Sequence, residues 1–194
     1  MDNEDKQAIA RELKLHAIVL GAFVGTMWVA EIADAVIFDG QLNQYGILPR
    51  HVIGLRGILL VPFLHGNFPH LIANTFPFIT LGWLVLLRDI KDFFVVTAIS
   101  MLVGGFGVWL FGAPALHIGA SGLVFGYLGF LLFRGLFERS LAAIALSLIV
   151  IFLYGGLVWG VLPGQPGVSW EGHLFGLLGG VLAAKWLPKR QSSL

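Results

Sequence analysis

The sequence predicts an all-α membrane protein, a bundle of six transmembrane helices with both termini in the cytoplasm. Three observations predict it. Hydrophobic residues make up 57% of the chain and charged residues only 12%, with a mean hydropathy of +0.87, well outside the soluble globular range. Six apolar runs are long enough to cross a hydrocarbon core of about 30 Å. The basic residues fall almost entirely on one side of those runs.

The runs cover residues 14–37, 68–87, 93–112, 119–137, 141–162 and 170–187. They are continuous rather than alternating, which favours helices over a closed barrel. A long first loop is expected over residues 38–67. At 194 residues, with short tails and no linker of Ser, Pro or charged repeats, the chain reads as a single integral membrane domain, 1–194. The acidic start leads into an apolar stretch too long for a signal-peptide core, so the first helix is expected to serve as its own insertion signal. The absence of cysteine excludes disulfides, thiol catalysis and thiolate metal sites.

Orientation follows from charge. Lys6, Arg11 and Lys14 precede the first helix, Arg88 and Lys91 follow the second, Arg134 and Arg139 flank the turn after the fourth, and Lys185, Lys189 and Arg190 close the chain. Arg50 and Arg56, in the first loop, fall on the opposite side. The second, fourth and sixth helices then run inward from the outer face, and each has a polar island near its start. These islands are His65 to Asn74, Gly119 to Gly122, and Gly172-His173. Ser121 and His173 are expected within roughly 5 Å of the outer edge at 1.5 Å per residue, in a pocket open to the outside.

A serine and a histidine at one depth suggest a nucleophile and its base. Gly172, Gly176 and Gly180 recur every four residues and give the sixth helix a side-chain-free stripe; Gly122 and Gly126 do the same for the fourth. Two such faces can approach closely enough to pair Ser121 with His173. His70 and Asn74, at i and i+4, share a helical face and can both donate to one developing negative charge. A lone membrane serine usually bonds back to its own helix, and small-xxx-small spacing by itself specifies only association. The coincidence of several costly polar groups at one level favours a site. His65 is read as a structural contact of the first loop. His16, His51 and His117 are read as interfacial and Glu171 as a rim residue; Glu31 and Asp34, near the outer end of the first helix, could form a proton-relay pair, with interfacial solvation the favoured reading. No metal is expected, because the histidines come without a carboxylate triad or an H-E-x-x-H helix.

These residues resemble the rhomboid intramembrane serine proteases, from Tyr45 to about Lys185, through three motifs: His65-x4-His70-x3-Asn74, Gly119-x-Ser121-Gly122, and Gly172-His173-x2-Gly176-x3-Gly180. The resemblance implies a rhomboid-like bundle, Ser121 as nucleophile and His173 as base without an acidic third member. It also implies His70, Asn74 and the Ser121 backbone N–H as oxyanion donors, and His65 as a support of the first loop. Phe125 stands where the family often has a tyrosine packed on the catalytic histidine, so the ring is kept and the hydroxyl lost. Gly172 stands where alanine is common, and the first loop lacks the family's frequent Trp-Arg pair. The implied activity is cleavage of single-span membrane proteins, with a small residue before the cut; the minimal topology and lack of a targeting extension lead to the expectation of a bacterial plasma membrane. Membrane lipid is the surrounding partner; no cofactor and no nucleic acid are expected. The alternative is a catalytically silent relative that binds membrane proteins.

Overall fold

The computed structural model describes residues 3–187 and is almost entirely helical. Lys189 and Arg190, used above to orient the chain, lie outside the described residues. Helix α1 spans Asn3–Ala33 and continues as a π-helical turn, Asp34–Phe38. It begins eleven residues before the apolar run, because nothing in the polar stretch ahead of Lys14 breaks a helix. Next come the short α2 (Gly57–Leu60), α3 (Phe68–Leu86), α4 (Ile90–Phe111), α5 (Ser121–Glu138), α6 (Leu141–Tyr154) and α7 (Trp170–Trp186). A 3-10 segment, Gly155–Val161, extends α6.

The helix starts are written locally. Asn67, Asp89, Ser140 and Ser169 each accept a backbone N–H in the first turn of the helix that follows, and Pro69 sits in the first turn of α3. Among the described residues, five segments are long and apolar enough to cross a membrane: Asn3–Phe38, Phe68–Leu86, Ile90–Phe111, Ser121–Glu138 and Leu141–Val161. The sixth expected crossing, α7, has 17 residues and is rich in glycine. It packs against both α4 and α5, and a helix shielded by neighbours needs less apolar surface of its own.

The first loop is not extended chain. It folds into 3-10 turns over Gln41–Tyr45, Val52–Arg56 and Val61–Phe63 around α2. An isolated antiparallel bridge, Ile47 to His117, ties this loop to the segment entering α5, with both N–H···O distances 3.0 Å. Arg50, at φ +62, donates to the Gly112 carbonyl at 2.9 Å just beyond the end of α4.

Close packing of α5 on α7 sets the geometry of the bundle end that carries Ser121 and His173. A Cβ on Gly176 would lie 2.1 Å from the Gly122 carbonyl oxygen, and one on Gly180 would lie 1.8 Å from that of Gly126. The two glycine stripes therefore meet backbone to backbone, in a register that pairs Gly122 with Gly176 and Gly126 with Gly180. Lipid offers helices no hydrophobic gain for associating, so contact of this kind has to supply the van der Waals attraction. An aromatic layer of Phe23, Phe78, Phe93 and Tyr127 fills the space among α1, α3, α4 and α5. At the opposite end, buried Arg134 donates to the Ala184 and Leu187 carbonyls at 2.8 Å and to Glu138, which also pairs with Arg88.

Candidate active site

A cleft of about 720 Å³ opens between the first turns of α3, α5 and α7 and the 3-10 segment after α6. Ser121, His173, His70, Asn74 and Phe125 all line it. Ser121 is the first residue of α5, two positions nearer the helix start than the sequence suggested, and His173 is the fourth of α7. The difference arises at Gly119, whose φ of +115 lies outside the helical range and delays the helix.

Gly119 is needed twice over. Its φ is one that L side chains rarely adopt, and a Cβ there would stand 2.8 Å from both Cε1 and Nε2 of His70 and 3.6 Å from Nδ2 of Asn74. The imidazole of His70 and the amide of Asn74 thus converge on the backbone just before the serine. Asn67 accepts the His70 backbone N–H at 2.9 Å, and Asn74 Nδ2 donates to the His70 carbonyl at 3.2 Å. One amide proton of Asn74 is held by that bond, and its NH₂ group retains a second.

His173 is oriented from two sides. Its ring stacks on Phe125 with centroids 4.1 Å apart and planes 8° from parallel. Its Nδ1 donates to the Gly160 carbonyl at 2.9 Å. A carbonyl oxygen only accepts, so the proton sits on Nδ1, and Nε2 of the neutral ring carries the lone pair.

His65 is 1% exposed, and its Nε2 accepts the Ala120 backbone N–H at 3.4 Å. It steadies the residue before Ser121 as well as the loop that carries it. Burial, with the neighbouring His70 adding to it, pushes the His65 imidazole down to about 4, so the ring is neutral at pH 7.

Four sequence readings change. His117 is buried and has partners: its Nε2 donates to the Ala113 carbonyl at 3.0 Å, which leaves Nδ1 to accept from the Ser169 hydroxyl at 2.6 Å. Ser169 in turn accepts the Gly172 N–H at 3.2 Å, so the segment before Ser121 is clipped to the start of α7. His16 is also buried, edge-on to Trp83 at 5.7 Å, because the helix face that carries it turns toward α3. Glu171 is 4% exposed and accepts the Ala113 N–H at 2.9 Å instead of standing free on the rim. Glu31 and Asp34 are buried rather than solvated, Asp34 accepting from the Leu42 N–H at 2.8 Å and from Asn43 Nδ2 at 3.0 Å. His51 remains exposed. Among the described residues no three His, Asp or Glu side chains gather into a metal-binding group.

Gly160 and Ser169 escaped the sequence reading. Ser169 had a usable signal, a serine three residues before Gly172 at a helix start. Gly160 contributes a backbone atom, which no residue-type pattern can report.

The fold and this cleft define a helical membrane protein with a polar pocket at one end of its bundle. A family model described as the rhomboid domain matches residues 54–190, and the chain belongs to that family. Its apolar helices, with that membership, make it an integral membrane protein. An uncharacterized protein of Mycobacterium tuberculosis H37Rv is 44% identical over 181 residues, covering 88% of this chain and 75% of that protein. An uncharacterized protein of Mycobacterium leprae is 40% identical, covering 90% and 73%. A Bacillus subtilis protein bearing the name "Putative rhomboid protease YdcA" is 33% identical, covering 64% and 63%. The rhomboid family includes both proteases and catalytically inactive members.

Proposed function

We propose that this protein is an intramembrane serine endopeptidase that hydrolyses peptide bonds in or near the transmembrane segments of single-span membrane proteins. The observation that carries the reading is the convergence of Ser121, His173, His70 and Asn74, from three helices, on one cleft. His173 Nε2 takes the Ser121 proton as the oxygen attacks a peptide carbonyl. The tetrahedral oxyanion rests on His70, Asn74 and the Ser121 backbone N–H, which stands in the first turn of α5 where no intrahelical acceptor exists. His173 then returns the proton to the leaving amine, and water releases the acyl-enzyme by the same route. Phe125 holds the imidazole by stacking. Gly119 and Gly122 keep the backbone around Ser121 free of side chains, Gly176 and Gly180 seat α7 against α5, and His65 supports Ala120.

A transmembrane helix hides its carbonyls in hydrogen bonds, so substrates are expected to have helix-weakening residues near the membrane surface. The distribution of basic residues supports an orientation with both termini in the cytoplasm and the cleft facing outward, and the minimal helical topology supports a bacterial plasma membrane as its location. The test is cleavage of a single-span reporter in liposomes by wild type, Ser121→Ala and His173→Ala. Cleavage by wild type alone supports the reading. Reporter binding without cleavage by wild type, or equal cleavage by all three, would overturn it in favour of a silent binding protein or another chemistry.

A further inference from the structure

We infer that the backbone carbonyl of Gly160 is the orienting partner of His173, filling the place that a carboxylate holds in a Ser-His-Asp triad, and that residue 160 is glycine because this contact leaves no room for a side chain. Gly160 is thereby a positioning residue, supplied by a segment other than the helix that carries the histidine. The inference rests on the protease reading for its consequence but not for its geometry.

The Nδ1···O distance of 2.9 Å is that of a hydrogen bond, and only the ring can donate it. A neutral imidazole has one N–H, so this bond fixes the tautomer and leaves Nε2 able to accept the serine proton. In a triad the acid performs the same selection, and losing it lowers kcat by about 10⁴-fold through the wrong tautomer.

The choice of glycine follows from space and not from backbone conformation. The nearby Gly164 and Gly167 have φ of +113 and +75, whereas Gly160 is not among the residues with positive φ. A Cβ on Gly160 would lie 2.9 Å from Phe125 Cζ and 3.1 Å from His173 Nδ1, at the edge of both stacked rings. It would part the stack, lengthen the hydrogen bond, or both. Gly156, in the same 3-10 segment, has nothing within 4 Å of where its Cβ would be. Glycine is disfavoured in a helical segment relative to alanine, and the contacts give its presence at 160 a steric reason that its presence at 156 lacks.

The first test needs no variant. Protein carrying ¹⁵N-labelled histidine is studied by NMR in micelles at neutral pH, with the His173 signals assigned by their loss in His173→Ala. A ring protonated at Nδ1 and bare at Nε2 supports the inference; the reverse tautomer overturns it, whatever the protein catalyses. The second test compares Gly160→Ala with Gly156→Ala in reporter cleavage. Gly160→Ala is expected to lower kcat at least about tenfold with KM within about twofold, and to move His173 toward mixed tautomers, while Gly156→Ala changes neither. Wild-type kcat and an unchanged tautomer in Gly160→Ala would overturn the inference. An Nδ1-protonated His173 in a wild type that cuts no reporter leaves the contact standing and removes the protease reading instead.

Discussion

Replacing Gly180 by alanine tests the contact on which the geometry of the cleft depends. The added methyl carbon would lie 1.8 Å from the Gly126 carbonyl oxygen, 2.7 Å from its carbon and 2.8 Å from the Phe130 nitrogen. Ordinary contact begins near 3.4 Å, so α5 and α7 must separate by roughly 1.6 Å if no other adjustment is made. All three obstructing atoms are backbone, and none can rotate away. Overpacking of this kind costs about 1–3 kcal/mol, and the rigid neighbours place this case at the upper end. Helix propensity opposes it, since alanine in a helix is favoured over glycine by about 1 kcal/mol. The net expectation is a loss of about 2 kcal/mol. Gly25→Ala supplies the control: its Cβ would meet nothing within 4 Å, so only the propensity gain acts and stability is expected to rise slightly. Residue 180 is seven positions from His173, about 10 Å along α7, so any effect on cleavage must pass through movement of the helix. A misplacement of 1 Å can lower a rate about 10²-fold, and a drop of that order is expected. The assays are unfolding in detergent titrated with SDS, and reporter cleavage. A Gly180→Ala protein as stable as wild type and fully active would refute the backbone contact.

Arg134→Ala is expected to cost about 3 kcal/mol in the same unfolding assay, because it strips the Ala184 and Leu187 carbonyls of a buried donor and Glu138 of one of its two arginines. The seating of the first loop should depend on pH through His65. Its imidazole is held at about 4 against an ordinary 6.5, so the unfolded chain takes up the proton first; the stabilisation is complete above pH 6.5, is lost as pH falls toward 4 and is flat below that. The full span corresponds to about 3 kcal/mol, and thermal unfolding between pH 7 and 4 should be steeper in wild type than in His65→Gln; equal slopes would refute the assignment. Asn74→Ala is expected to lower kcat about 10²–10³-fold with little change in KM, as for loss of one oxyanion donor; an effect confined to KM would remove Asn74 from that role.

Much of this architecture was legible because lipid imposes simple rules on sequence. Apolar runs located α3, α4, α5, α7 and α6 with its 3-10 extension to within a few residues, and the four-residue glycine spacing marked the two faces that meet in the structure. The start of α1 was not legible from hydropathy, since a helix can continue past the membrane on polar residues. Nor was the first loop, whose 3-10 turns are held by long-range bonds such as the Ile47–His117 bridge. Two of the misread polar residues share a cause: Glu171 and Asp34 accept the backbone N–H groups of Ala113 and Leu42. A residue-type pattern registers a side chain without a matching side chain and reports it as interfacial. Only the chain path shows which backbone groups it must satisfy.

The same limitation bears on why the dyad, as proposed, has no acid. A carboxylate is close at hand in Glu171, two residues before His173, yet its oxygen accepts the Ala113 N–H at 2.9 Å. Placing an ionised carboxylate behind the imidazole would bury a charge that is hard to compensate in an apolar bundle, at several kcal/mol. A backbone carbonyl brings no net charge and costs far less to bury. It is also the weaker partner, stabilising an imidazolium less than a carboxylate would, so it can select the tautomer but contributes less to holding the ring. Stacking supplies the rest. With Phe125 parallel to the ring at 4.1 Å and Gly160 bonded to its edge, rotation of His173 would have to break a face contact and a hydrogen bond together. Without either contact, the remaining one would leave the ring a free motion, sliding over Phe125 in the first case or swinging about the Nδ1–H···O bond in the second. The two are therefore expected to be coupled, and Phe125→Leu combined with Gly160→Ala should lower kcat by less than the product of the single effects.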